Sequence, residues 1–223
     1  MGRQIILMGD IIGSRGYPQG ELHEEFNKCI NSANEIFRKQ LVSPLTITLG
    51  DEFQGIVSSL EEAFRIIFYI DEKSRNQDSD YEIRYSLHLG NIETNIVSEA
   101  AHNMMGEGLT TARELLGEMS RRARERFRIS VGSVKIQRCF ENILAIYDKI
   151  ITSWNLEKDK EVIQILIQEP NDRKAAELLG KTRQQVWKRR STLMINEYNK
   201  SKESIILMAG LFHDKIHSDF YSS

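Results

Sequence analysis

Ile5 to Met8 is a continuous apolar run closed by Gly9–Asp10. A short run of this kind reads as a buried strand, here with a carboxylate at its C-terminal end. Residues 11–16, IIGSRG, form a glycine-bearing loop, which Pro18 and Gly20 close. From Glu21 to about Gln40, Leu22, Phe26, Ile30, Ala33, Ile36 and Phe37 recur at helical spacing, and Ser43–Pro44 ends that helix. Leu45, Ile47 and Leu49 then alternate with Thr46 and Thr48, Gly50–Asp51 intervenes, and Phe53, Ile56 and Val57 follow. Two β-prone runs joined through Gly-Asp predict a tight hairpin, with Gly50 supplying the positive φ.

Ser59 predicts an N-cap before Leu60-Glu61-Glu62, and Ala63, Ile66, Ile67 and Ile70 carry that helix to about Lys73. Tyr81 to Gly90 sets Ile83, Tyr85, Leu87 and Leu89 against Glu82, Arg84, Ser86 and His88, a strand with one apolar face and His88 on the solvent side. Residues 91–108 read as irregular. Thr110 or Thr111 caps a helix to about Arg126, and Phe127 to Val134 predicts a strand. Helical patterns then cover Gln137–Trp154, Lys158–Gln168, Asp172–Leu179, Thr182–Asn199 and Lys202–His217.

The first part therefore runs strand, helix, hairpin, helix, strand, helix, strand. That order predicts an α+β fold whose sheet carries helices on one face. The change to all-helical patterning predicts two domains, residues 1–136 and 137–223.

Composition narrows the class. With 223 residues, 40% hydrophobic and 28% charged, the chain has enough apolar material for a core. A net charge of −2 gives no global attraction to nucleic acid, so such a role needs a local patch. Cys29 and Cys139 lie far apart within apolar patterns and read as buried free thiols, which suits a reducing, cytoplasmic setting. No membrane span or signal peptide is evident.

Asp10 and Asp51 are the candidate chemistry. In a split βαβ sheet the first strand neighbours the hairpin, which lets the two carboxylates converge. Mg2+ or Mn2+ takes one or two carboxylates and completes its octahedron with water and phosphate oxygens. The loop at Ile12, Gly13 and Ser14 offers backbone N–H groups to phosphate, and Arg15, Arg84, Arg113 and the run Arg121–Arg128 offer charge. Each feature also has a plainer reading. Asx-turns place Asp at strand ends, and five arginines between 121 and 128 are simply the solvated end of a helix.

The ordered set GDIIGSR, ITLGDEFQGIV and RYSLHLGNIET resembles the palm-type catalytic domain of class III nucleotide cyclases, over about residues 4–115. Asp10, Gly13, Asp51, Arg84, His88 and Gly90 match its motif positions. The resemblance implies a ferredoxin-like βαββαβ sheet, metal at Asp10 and Asp51, a nucleotide or other phosphorylated ligand, and a homodimer. It also implies that Arg113 handles transition-state charge. Two positions depart from that pattern: Ile47 stands where a base-reading lysine is common, and Leu109 where an asparagine is. These weigh against cyclic-nucleotide synthesis and leave nucleotide binding. Over nearly its whole length the chain also resembles the SatD family of bacterial proteins, in its GD-I-G-SR opening, its GDEFQ hairpin and the segment GEGLTTARELL.

Residues 171–198 read as a helix-turn-helix within about 170–200. Ala175, Ala176, Leu178 and Leu179 pack the first helix, Gly180 turns, Thr182 caps the second helix and Val186 docks it. Lys181, Arg183, Lys188, Arg189 and Arg190 supply local positive charge, Gln184 and Gln185 suit base edges, and Trp187 reads as core, with stacking on sugar-phosphate as the alternative. Double-stranded DNA is the partner this implies, and a helical hairpin serving protein contacts is the alternative. The candidate functions are a regulator coupling ligand binding to DNA, a metal-dependent nucleotidyl or phosphoryl transferase, and an interaction protein with a decayed site.

Overall fold

A computed structural model of the chain describes residues 2–75, 81–101, 104–121 and 125–221, and the side chains of these except 19, 120 and 213–221. The chain divides into two compact units, Met1–Glu141 with Ile206–Ser223, and Asn142–Ile205. The sequence placed the boundary after 136. The first unit runs further because Phe140 packs its ring on Phe64, with centroids 4.9 Å apart.

The first unit holds β1 (Gln4–Ile11), α1 (Gln19–Ile36), β2 (Leu41–Ile47), β3 (Glu52–Val57), α2 (Leu60–Ser74), β4 (Ile83–Gly90), α3 (Glu107–Arg121) and β5 (Phe127–Ser130). The strands form one sheet in the order β2-β3-β1-β4-β5. β1 pairs antiparallel with β3 and β4, β2 pairs antiparallel with β3, and β5 joins β4 in parallel. The chain is thus a mixed α+β protein with the element order read from the sequence.

Both faces of the sheet are covered, not one. On the first face Phe53 meets Phe26 of α1 and Tyr85 of β4. Asp71 of α2 accepts from Tyr85 there and pairs with Arg126. On the second face Ile6, Met8 and Ile56 pack with Leu109, Ala112 and Leu116 of α3. The unbroken apolar run of β1 is the cause, since its alternate residues must be buried on opposite sides. Ser86, on the face of β4 read as polar, lies under α3 and donates to the Ala112 carbonyl at 2.8 Å. A Cβ on Gly90 would sit 2.7 Å from the Gly108 Cα, so glycine at both positions lets the end of β4 and the start of α3 cross in contact.

Several boundaries move. Ser43–Pro44 lies inside β2 and does not end α1; β2 is an edge strand with register shifts at this point, where a missing N–H is tolerated. Ser59 caps α2 as expected, its hydroxyl accepting from the Glu62 N–H at 3.2 Å. Arg126 is not a solvated helix end. It is 4% exposed, and besides Asp71 it bonds the Ile83 carbonyl at 3.0 Å. Arg128 pairs with Glu125 and Glu141; Arg122 and Arg124 lie outside the described residues. Cys29 is buried, but Cys139 is exposed.

The second unit is helical. It contains α5 (Leu156–Gln168), α6 (Asp172–Leu179) and α7 (Arg183–Thr192), with parts of α4 (Val134–Ile151) and α8 (Ile195–Tyr221). Ile163 and Leu166 of α5, Ala175 and Ala176 of α6 and Val186 of α7 form its core with Leu193 and Ile195. Gly180 caps α6 in the left-handed conformation, and Thr182 with Gln185 forms a capping box on α7. The single helix expected over Thr182–Asn199 is broken at Met194, whose φ of 52° is outside the helical region. Trp154 secures the break, its Nε1–H donating to the Leu193 carbonyl at 2.8 Å.

Candidate functional site

Asp10 ends β1 on the α3 face of the sheet, where the register sets it opposite Glu52 of β3 and Arg84 of β4. Arg84 grips it with two parallel bonds, Nε to Oδ1 at 3.0 Å and Nη2 to Oδ2 at 2.8 Å. Glu52 accepts from Arg113 of α3 at 2.6 Å and from the Thr48 hydroxyl at 3.1 Å. Burial raises the Asp10 pKa. The Arg84 hydrogen bond and charge oppose that rise, and the negative charges of Asp51 and Glu52 add to it.

Asp51 stands at the hairpin tip behind Gly50, whose φ of 85° makes the turn. Its carbonyl accepts from the Ile11 N–H at 2.9 Å, tying the tip to the end of β1. Its carboxylate oxygen Oδ2 accepts from the Ser14 hydroxyl at 2.5 Å. Ser14 begins a 3-10 turn, Ser14–Gly16, behind Gly13 in the left-handed region. Asp10, Asp51, Ser14 and Arg84 thus lie in one polar cluster.

Two parts of the expectation change. Ile12 does not offer its N–H to a ligand, because that group donates to the Glu82 carbonyl at 2.8 Å. Arg84 is first of all the counter-ion of Asp10. Two further residues join the site. The Glu52 side chain is 12% exposed and engaged by Arg113. The signal was its parity with Gln54 and Ile56, both buried on the same face. His23 of α1 places Nδ1 3.3 Å from the Gly50 carbonyl, across a gap of sequence that no local pattern bridges. Leu109 is buried with Met8 and Met104 and belongs to the core. His88, read as a surface residue, is half-buried, and that burial lowers its pKa against a hydrogen bond with the Ser130 backbone.

A cleft of about 530 Å3 opens beside the tip, with Ser14, Arg15, His23, Gly50 and Asp51 among its walls. Arg15 is exposed there. A second cleft of about 560 Å3 lies on the α3 face, lined by Met8, Thr48, Gln54, Met104, Leu109 and Arg113 among others. Leu49, exposed at the hairpin tip, borders both.

Asp10, Asp51 and Glu52 present carboxylate oxygens, the ligand type a hard divalent cation takes. Among the described residues no group of three or more His, Cys, Asp or Glu is arranged to hold a metal ion. Mg2+ needs only one or two carboxylates when phosphate supplies other oxygens. Asp10, Asp51 and Glu52 bring three negative charges together. Asp10 and Glu52 each have an arginine, but the carboxylate of Asp51 is met by the neutral Ser14 hydroxyl.

The sequence pattern of the SatD family matches residues 4–204. The chain belongs to the SatD family. No curated protein matches it in sequence. Among solved structures, the neighbours of this SatD family chain are nucleotide cyclase catalytic domains over about half its length. The guanylate cyclase domain of RhGC from Catenaria anguillulae, in complex with GTP, has 16% identity and a TM-score of 0.42, covering 52% of this chain and 72% of that one. A rhodopsin-guanylyl cyclase core of converted specificity with ATPalphaS has 16% identity and a TM-score of 0.40, with the same coverage. A bacterial light-regulated adenylyl cyclase has 15% identity and a TM-score of 0.40, covering 59% of this chain and 44% of that one. Among the described residues no helix is long and apolar enough to cross a membrane.

In the second unit the residues assigned to DNA separate into two sets. Arg190 is 5% exposed and bonds the Asp172 carboxylate and the carbonyls of Leu166 and Glu169. It locks α5, α6 and α7 together and is withdrawn from any surface role. Gln185 serves the capping box, and Arg189 pairs with Asp159 of α5. Lys181, Arg183, Gln184 and Lys188 are exposed. Trp187, expected in the core, is 63% exposed.

Proposed function

We propose that the protein binds a nucleotide or similar phosphorylated ligand together with Mg2+ or Mn2+ at Asp10 and Asp51. The observation that carries this reading is the charge imbalance at the hairpin tip. Three carboxylates converge, and Asp51 alone lacks a cationic partner among the described residues. Asp51 and Asp10 would hold the ion, which when bound would neutralise and orient phosphate oxygens. Arg84 and Arg15 supply donors to the phosphates, Ser14 sets the orientation of the Asp51 carboxylate, and Arg113 holds Glu52 out of competition for the ion. Manganese binding counted by loss of the free-ion resonance tests this. The wild-type chain takes up the ion in the presence of nucleotide, Asp51→Asn does not, and equal uptake by both sinks the reading.

Phosphoryl or nucleotidyl transfer at the same pair is the enzymatic form of this reading, and the likeness of the motif set to cyclases favours it. Metal-dependent turnover of a labelled nucleotide that Asp51→Ala abolishes separates transfer from binding alone. The departures at Ile47 and Leu109 direct the search to products other than cyclic nucleotides. The same dimer-forming resemblance favours a homodimer, which sedimentation tests.

For the second unit the reading is a helix-turn-helix that contacts duplex DNA, giving a regulator in which ligand state and DNA binding are coupled. What favours it is the surface of α7, where Arg183, Gln184 and Lys188 are free of the packing that consumes Arg190 and Gln185. Salt-sensitive duplex binding tests it, and absence of binding at low salt sinks it.

A further inference from the structure

We propose that Trp187 is a direct contact to the sugar–phosphate backbone of duplex DNA. This rests on the duplex reading of the second unit and says what the surface of α7 uses besides charge.

The rotation of α7 is set by its buried side. Val186 is fully buried and Arg190 is 5% exposed, and Leu193 beyond the helix is also buried. At 100° per residue, those positions turn Gln184, Trp187, Lys188 and Ser191 outward. The helix sequence RQQVWKRRST contains no carboxylate. Around it, residues 142–205 carry 12 Lys and Arg against 9 Asp and Glu, in a chain whose net charge is −2. The exposed positions of α7 include the cations Arg183 and Lys188 and no carboxylate, and an indole among them is matched to a polyanion that also has apolar edges. A deoxyribose ring supplies that apolar edge, and a phosphate oxygen accepts from the indole N–H.

The two tryptophans differ in a way that decides against a packing role. Trp154 is half-buried and spends its N–H on the Leu193 carbonyl. Trp187 is 63% exposed. An exposed tryptophan amid cations gives the folded chain little stability, so its benefit lies in contact. Acidic protein surfaces offer charge but not a regular row of sugars and phosphates at helical spacing, which is why duplex DNA is the occupant chosen.

The test uses the full-length chain with a generic duplex and the matching single strand at low salt. Trp187 emission, taken as wild type minus Trp187→Phe, should be open to acrylamide in the free protein and protected on adding duplex. Trp187→Ala should weaken duplex binding about tenfold across unrelated sequences with unchanged thermal unfolding, and Trp187→Phe, which keeps the aromatic face but has no N–H, should restore only part of it. The salt slope should stay the same in Trp187→Ala but fall by about 1 in Lys188→Ala. If the wild-type chain binds duplex but Trp187→Ala binds equally well, or Trp187 stays open to acrylamide, the contact is overturned while the duplex reading stands. Tighter binding of single strand, or quenching protection in the free protein, overturns the contact as well. No binding of duplex by the wild type overturns the duplex reading itself.

Discussion

Arg84 and Asp10 sit opposite one another on adjacent strands and are joined by two parallel hydrogen bonds, 3.0 and 2.8 Å long. Both side chains are largely buried, at 12% and 20% exposure. A planar guanidinium is needed for that geometry, because a lysine ammonium cannot bridge both oxygens. Arg84→Ala leaves Asp10 buried without its counter-ion and should cost about 2–4 kcal/mol in urea unfolding, with Arg84→Lys recovering only part. A loss below about 0.5 kcal/mol would mean that the pair is held apart in solution.

The same pair makes metal binding depend on pH. A proton on Asp10 must leave before a cation can be held there. Because the Asp10 pKa is raised, chiefly by burial, affinity for Mn2+ should climb as pH rises through that raised value and then level off. The stability of the metal-free chain runs the other way. The Asp10 contribution is fully present below the ordinary carboxylate pKa and is lost as pH rises through the raised one. Titrations of ion uptake and of unfolding midpoint between about pH 4 and 8 give both curves. A flat uptake curve would remove Asp10 from the ligands.

Arg126 and Asp71 lie deeper, at 3% and 1% side-chain exposure, and tie the start of β5 to α2. Arg126→Ala strands a buried carboxylate and should cost about 3–5 kcal/mol. Asp71→Asn, which keeps an acceptor for Tyr85 and Arg126, should cost less. A loss in Asp71→Asn as large as that in Arg126→Ala would show that the retained hydrogen bonds contribute little and that the charge pairing carries the contact.

Arg190 and Lys188, two residues apart on α7, should behave oppositely. Arg190→Ala leaves the Asp172 carboxylate and the carbonyls of Leu166 and Glu169 without their donor, and should destabilise the second unit by about 2–4 kcal/mol. Lys188→Ala, on the exposed side, should change stability by less than about 0.5 kcal/mol. Thermal unfolding followed by circular dichroism checks both.

These contrasts show what could be read in the chain and what could not. Periodicity placed the strands and helices of the first unit, because Ile5–Met8, Tyr81–Gly90 and Leu60–Lys73 have hydrophobic patterns that admit one reading each. The convergence of Asp10 and Asp51 followed from strand order. Periodicity could not say that a second helical layer covers the polar-looking face of β4, since Ser86 is buried by α3 from far along the chain. Nor could charge alone separate Arg190 from Lys188. Both are cations on one helix, and only the neighbouring carbonyls of α5 decide which is structural. Trp187 was misread for the converse reason: size and hydrophobicity argue for burial, and its helix turns it outward.

The most direct test of the central claim is thermal unfolding of the full chain with a panel of nucleotides, each with and without Mg2+ or Mn2+. Ligand binding to the folded state must raise the midpoint, by about 5–10 °C at a hundredfold excess over Kd for a chain of this size. Such a rise is expected for at least one nucleotide, only with the metal present, and none is expected in Asp51→Asn. No rise with any nucleotide in a folded wild-type chain, or the same rise in Asp51→Asn, would contradict that claim.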